Sequence, residues 1–494
     1  MIAYVGVTVL AALSAWLIAL TMPRGPVTAS QALTVMVSCL LVGLIAGAIT
    51  RSRWTMVLLP IVHIAILEIM RLNLAGPTVG AIRFDGMFSV LAMILGRGFY
   101  GLVGVIPMLF GASLGIALAR LSAGLDAPSR FGVWSWTPAA LMALALLALA
   151  VWILLPASTP AILGMDGKPL KGSITELTTV KLGGVDQAIM IRGYSTEKPV
   201  LLYLSGGPGQ SDLPYSRVLF ADLTKDFVVV GWDQRGTGKS YSALEPSSKL
   251  TLEQAILDTL ELSNYLRNRF KEQKIYLMGE SWGSVLGVLA AQRQPALFHA
   301  FIGSGQMVNL RETDRRAYYD VLALARKNND TKLEATMKAY GEPPYSDPIA
   351  NATVLGLYDQ LYKPFSPPQA YRELGTKANL GLYGVLGSEY NLVEKVNALR
   401  GLIDMFSIMY PQLQGIDFRR DASRLAIPYY MLDGAAEMTS RRDLALEWFA
   451  ELEAPKKQKF TFENSAHSVT FEQFEAFHDI MLEVVVPQTY KAQK

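Results

Sequence analysis

Lys274-Ile-Tyr-Leu-Met-Gly-Glu-Ser281-Trp-Gly-Ser-Val-Leu-Gly287 is the stretch that decides the fold of most of this chain. Ile275 to Met278 is an apolar run of strand length. Gly279, Ser281 and Gly283 then form a G-x-S-x-G, and Val285 to Ala291 continues in good helix formers. A strand that turns sharply into a helix puts the serine hydroxyl at the apex, with small residues where side chains would collide. The helix N-terminus behind it offers N–H groups and partial positive charge where an oxyanion would form.

Outward from this turn, strands and helices alternate. Val180 to Ile191 reads as an antiparallel opening strand, and Pro199 to Leu204 and Phe227 to Trp232 as buried strands. Thr251-Leu-Glu-Gln254 is a capping box that opens an amphipathic helix to about Phe270. Ala300 to Gly303 is a further strand. After a helical, irregular stretch the alternation resumes with Pro428 to Leu432, a helix near Arg441 to Leu452, the strand Lys459 to Glu463 and a last helix after Ser468. Strands separated by helical crossovers predict a mostly parallel sheet covered on both faces.

Three loops that follow strands carry chemistry. Leu204-Ser-Gly-Gly-Pro-Gly209 has adjacent glycines whose N–H groups can face a ligand. Trp232-Asp-Gln-Arg-Gly-Thr-Gly-Lys-Ser240 ends like a phosphate-binding loop, but that motif needs glycine where Asp233 stands. Asn464-Ser-Ala-His467-Ser follows the final strand. The chain has four histidines: His63 lies in an apolar span, His299 before a core strand and His478 along the last helix. His467 alone occupies the loop where a serine-activating base belongs, and the acid should lie between the serine and this histidine. Asp433 and Glu437 both qualify by order.

The first 156 residues are different. They hold eight arginines and no lysine against Glu68, Asp85 and Asp126, a net charge of +5, whereas the remainder carries 37 basic and 39 acidic residues. Five apolar stretches, at about 2–22, 31–50, 54–74, 98–119 and 138–156, reach the roughly 20 residues that a membrane crossing needs. The first lacks a basic leader and four spans follow it, so it does not read as a cleaved signal. Met87 to Leu95 is too short to cross and reads as interfacial or re-entrant, with a sixth crossing as the alternative. Arg51, Arg53, Arg120 and Arg130 fall on the N-terminal side of the spans and Arg24, Arg71, Arg83 and Arg97 on the other, a tie under the positive-inside rule. The uncertain loop around Met87 tips the expectation towards an external hydrolase. Glu68 and Arg71 read as an i,i+3 pair and His63 as a bundle-packing residue, while Gly43-x-x-x-Gly47 and Gly111-x-x-x-Gly115 allow close helix contact. Cys39 is the only cysteine, so an internal disulfide is excluded. No metal cluster, nucleotide fingerprint or basic stripe stands out, so neither a cofactor nor a nucleic-acid partner is expected.

Gly206-Gly-Pro-Gly209, Asp233-Gln-Arg-Gly-x-Gly-x-Ser240, Gly279-x-Ser281-Trp-Gly-Ser284 and Ser465-Ala-His467-Ser468, in this order, resemble the prolyl iminopeptidase-like serine peptidases of the α/β-hydrolase fold. The resemblance runs from about Gly184 to the C-terminus. It implies an α/β-hydrolase with a mostly parallel sheet and a helical cap, here preceded by an all-α transmembrane bundle. It further implies Ser281 as nucleophile, His467 as general base, and the N–H groups of Gly207 and Trp282 as oxyanion hole. The family's acid loop, P-x-x-x-L-x-G-x-x-D, laid on Pro428 to Glu437, puts Glu437 at the acid, with Asp433 as the alternative. Three departures touch the substrate: Ser205 stands where the family has histidine, Glu280 replaces a small residue before the nucleophile, and the family's Trp-rich cap signature is not visible.

The expected domains are 1–156, transmembrane; 157–305 and 426–494, the two parts of the hydrolase core; and 306–425, a cap. The cap region holds ten of the 21 tyrosines. Glu312, Asp314 and Glu389 are its candidates for gripping a substrate amine, each also readable as a surface charge. The leading expectation is a membrane-anchored aminopeptidase or amidase that releases a small N-terminal residue such as proline through an acyl-enzyme. A membrane esterase or lipase and a non-catalytic binding protein are the alternatives.

Overall fold

The computed structural model describes residues 1–84, 86–124, 133–378, 381 and 384–490. Asp85, Asp126 and Arg130, counted in the charge of the first region, and Tyr383 of the cap lie outside them. The chain forms two compact units: Met1–Ala157 with Tyr390–Arg400, and Ser158–Glu389 with Gly401–Lys494.

The first unit is helical. Four of its helices, Ile2–Thr21, Ala29–Thr50, Met87–Ser122 and Thr137–Leu154, are long and apolar enough to cross a membrane. The third apolar stretch of the sequence forms the helix Thr55–Arg71, which at 17 residues is shorter than these. The short run at Met87 is corrected: it is no separate segment but the start of a 36-residue helix that continues through two π turns, Ile94–Gly98 and Gly101–Val105. Gly43 and Gly47 face Gly111 and Gly115 across one helix pair. A Cβ on Gly43 would lie 2.0 Å from the Met108 carbonyl oxygen, and one on Gly115 would lie 2.1 Å from that of Leu44. Both small-residue motifs are therefore used within the chain. Glu68 accepts from Arg97 as well as facing Arg71, at 2.6 and 3.5 Å. His63 Nε2 lies 2.7 Å from the Tyr100 hydroxyl, packed in the bundle. A π turn leaves a carbonyl without its usual donor in the helix. Buried Arg400 supplies one, donating through Nε to Leu95 O at 2.9 Å while its guanidinium lies 5.1 Å from the centre of the Phe99 ring.

The second unit is built on eight strands: β1 (Ile174–Leu182), β2 (Val185–Gly193), β3 (Val200–Leu204), β4 (Val228–Trp232), β5 (Ile275–Glu280), β6 (Phe298–Ser304), β7 (Tyr429–Gly434) and β8 (Lys457–Phe462). Their order is β1-β2-β4-β3-β5-β6-β7-β8. From β4 to β8 every neighbour is parallel, while β1, β2 and β4 pair antiparallel. The single strand expected over Val180 to Ile191 is two strands of a hairpin. Gly183 and Gly184, at φ +54° and +83°, supply the two left-handed positions that a tight hairpin turn requires. Thr251 caps the helix Leu252–Phe270 as its sequence predicts, accepting from Gln254 N at 3.1 Å.

All five residues of β3 and β4 and all six of β5 are buried, as expected of strands covered on both faces. Between β6 and β7 run the cap helices Leu310–Lys327, Thr331–Tyr340, Pro348–Leu357, Gln369–Ala378 and, from residue 401, the second half of Leu392–Met409.

Candidate active site

Ser281 sits at φ +54°, ψ −117° between β5 and the helix Trp282–Arg293, a conformation that non-glycine residues adopt only under constraint. The constraint is steric and backbone-made. A Cβ on Gly279 would lie 2.2 Å from the Gly283 carbonyl oxygen, and one on Gly283 would lie 2.0 Å from that of Leu204. The turn is tied to the sheet by Ser281 N donating to Ser304 O at 3.0 Å, and to the helix by Ser284 N donating to Ser281 O at 2.8 Å. The Ser281 hydroxyl opens into a cavity of about 380 Å³ and rests 3.7 Å from the Met307 sulfur.

His467, in the loop after β8, lines the same cavity. Two close approaches bring its loop in. A Cβ on Gly434 would fall 1.9 Å from Ala466 O, and one on Gly305 would fall 2.8 Å from His467 Cε1. The loop is braced by Glu472, whose Oε2 accepts from Ser465 Oγ at 2.5 Å and from Ala466 N at 2.8 Å. His467 Nδ1 lies 2.5 Å from Glu437 Oε2. Glu437 Oε1 accepts from Met438 N and from Arg441 Nη1, each at 2.9 Å. Burial pushes the Glu437 carboxyl up, but the charges of Arg441 and His467 outweigh it and hold the group down at about 2. Asp433, the alternative by order, is engaged elsewhere. Arg442 clasps it through Nε and Nη2 at 2.8 Å each, and Thr461 Oγ1 donates to it at 2.9 Å.

The motifs after β3 and β4 meet behind the turn. Gln234 donates to the Ser205 carbonyl oxygen at 3.2 Å and accepts from the Trp282 indole at 2.9 Å, tying both loops to the serine turn. Ser240 Oγ accepts from Ala188 N at 2.7 Å and donates to Asp233 O at 2.6 Å, so the Gly-Lys-Ser ending is scaffold. Gly207 lines the cavity. Trp282 is the first helical residue, where an N–H has no carbonyl a turn earlier to receive it.

The three cap carboxylates expected to hold an amine are corrected: Glu312, Asp314 and Glu389 do not line this cavity. Each is held by a partner distant in sequence. Glu312 pairs with Arg316 and Arg419. Asp314 is buried and accepts from Tyr410 at 2.8 Å and Gln414 at 3.2 Å. Glu389 is buried and paired with Arg217 at 2.5 Å. The carboxylates that do line the cavity are Glu280, Asp359 and Glu472. Glu280 carried a sequence signal, as the odd residue before the serine. Arg441 carried a weaker one, four residues after Glu437 at a helix start. Asp359, on an irregular cap turn, carried none.

Burial raises Glu280 to about 8, against the pull of the Thr470 hydroxyl that donates to it at 2.6 Å, and raises Asp212 and Asp314 to about 6. The folded protein therefore keeps protons that the unfolded chain releases near pH 4, so these groups make stability fall as pH rises from about 4 to 8. Glu437 acts oppositely, but only below its ordinary value near 4.5. Glu280→Gln is expected to flatten the upper part of the decline, between about pH 6 and 8. Melting temperatures of the detergent-solubilised protein across that range check this, and an unchanged slope in the variant would count against it.

Residues 199–473, more than half of the chain, match the sequence profile of the alpha/beta hydrolase fold. A probable aminopeptidase, YbaC, of Bacillus subtilis (strain 168) is 29% identical over 305 residues, covering 62% of this chain and 94% of that protein. A proline iminopeptidase of Thermoplasma volcanium is 27% identical over 199 residues, 40% of this chain and 63% of its own length. Among solved structures, a proline iminopeptidase of Mycobacterium smegmatis superposes with a TM-score of 0.46 at 15% identity, over 64% of this chain and 99% of that one. With the strand order, the turn at Ser281 and the profile match in agreement, the chain belongs to the α/β-hydrolase fold family.

Proposed function

We propose that the protein is a serine hydrolase of aminopeptidase type, anchored in a membrane by its N-terminal helices. The observation that carries this reading is that Ser281, on its constrained turn, and His467, backed by the Glu437 carboxylate at 2.5 Å, open into one cavity. A serine hydroxyl is a poor nucleophile until a base takes its proton during attack. His467 Nε2 would take it, with Nδ1–H held by Glu437, which stabilises the imidazolium. The N–H groups of Gly207 and Trp282 would hold the oxyanion, each worth about 10²–10³ in rate. His467 then protonates the leaving amine, and water, deprotonated by the same histidine, releases the acyl group from Ser281.

Peptide-like substrates are supported by the relatives named aminopeptidase and proline iminopeptidase. The exposed carboxylate of Asp359 on the cavity wall supports a substrate with a free amine over a long acyl chain. Asp359 is the candidate for holding that amine, because it is exposed within the cap whereas Glu280 and Glu472 are buried below it. The four long apolar helices support the anchor.

The deciding test compares proline and alanine naphthylamides, their N-acetylated forms and long-chain p-nitrophenyl esters on the solubilised protein. Turnover confined to free-amine substrates is expected. A preference for the long-chain esters would favour a lipase instead, and no turnover together with no labelling of Ser281 would leave a binding protein.

A further inference from the structure

Arg441 has no part in the mechanism above, yet it is buried against both members of the acid–base pair, 6% exposed. Its Nη1 donates to Glu437 Oε1 at 2.9 Å and to the Tyr362 hydroxyl at 3.2 Å, and the same nitrogen lies 2.9 Å from His467 Nδ1. A guanidinium has donors only, and an ionised carboxylate accepts only. Nδ1 cannot satisfy both neighbours. With its proton directed to Glu437 Oε2 at 2.5 Å, it faces Arg441 as one donor beside another. Two donors, Arg441 and Met438 N–H, fix Oε1 and leave Oε2 to the imidazole.

The geometry points to Arg441 as a positioning residue for the reaction. It orients the Glu437 carboxylate towards His467 and sets a positive charge beside the imidazole. This rests on the serine-hydrolase reading. Other charged or titratable groups face the histidine or its cavity. Asp359 and Tyr362 come from the cap, Glu280 from the end of β5 and Glu472 from the segment after His467. Tyr410 lines the same cavity; the ionised carboxylates among these groups favour the imidazolium and Arg441 opposes it. Removing that cation should make His467 easier to protonate, since a like charge within about 4–6 Å moves a group by one unit or more.

The test is the rate of fluorophosphonate labelling at Ser281 from pH 4 to 9 in the full-length protein, Arg441→Gln and Arg441→Lys. The acidic limb of the Gln variant is expected to move up by about one pH unit. That of the Lys variant, which keeps the charge without the fork, should stay within about 0.3 unit of the parent while its maximal rate falls, as expected of a point charge in place of a planar fork. A Gln limb that does not move, or a Lys limb displaced by a full unit, would overturn the assignment. The Lys result decides alone if the Gln variant does not fold. Failure of the parent protein to label, or labelling that survives Ser281→Ala, would instead overturn the serine-hydrolase reading itself.

Discussion

Ser281→Ala is expected to abolish fluorophosphonate labelling and to lower turnover of a free-amine naphthylamide by about 10⁴-fold or more, the scale at which loss of a nucleophile is felt in enzymes of this chemistry. The change should leave the fold alone. Among the described residues the Ser281 hydroxyl makes one weak hydrogen bond, 3.7 Å to the Met307 sulfur, and the positive φ of the turn is imposed by the packing of Gly279 and Gly283 rather than by the serine hydroxyl. Melting temperature should therefore match the parent to within a degree or two. That separates chemistry from stability, because a variant that is both inactive and markedly destabilised would mean that residue 281 holds the turn together. Retention of a tenth of the parental turnover at unchanged stability would remove Ser281 from the mechanism altogether.

How far the sequence could be read depends on how local the determinant is. The serine turn was legible because strand, glycines, serine and helix lie within 14 consecutive residues, and each glycine has one steric reason. The parallel sheet followed from the strand–helix alternation. The turn at Gly183 is not legible, because the strands on either side read as one run of β-formers. Nor is the long helix that starts at Met87, because a short apolar run looks the same whether it ends or continues into a π turn. The amine-binding candidates failed for a different reason. Glu389 is neutralised by Arg217, 172 residues earlier, and Glu312 by Arg419, 107 residues later. A charge reads as free until its partner is known, and such partners come only with the fold.

The acid candidates show the same limit, since chain order admits both Asp433, at the end of β7, and Glu437, in the turn four residues on. Their surroundings predict opposite results on substitution. Glu437→Gln removes the carboxylate that His467 Nδ1 touches at 2.5 Å. A glutamine there can present its amide to Nδ1 and favour the wrong tautomer, so kcat per folded molecule is expected to fall by about 10⁴-fold. Some stability should go too, because the buried Arg441 loses its carboxylate, and rates must be referred to the folded fraction.

Asp433→Asn breaks a two-pronged pair with Arg442 that touches neither His467 nor the cavity, and should cost about 1–3 kcal/mol of stability with kcat changed less than about fivefold. Unfolding curves and single-turnover rates on the two variants decide between them. If Asp433→Asn proves the slower enzyme and the more stable protein, the loop must rearrange to bring Asp433 to the histidine. The contact between Glu437 and His467 would then be a resting arrangement rather than the working one.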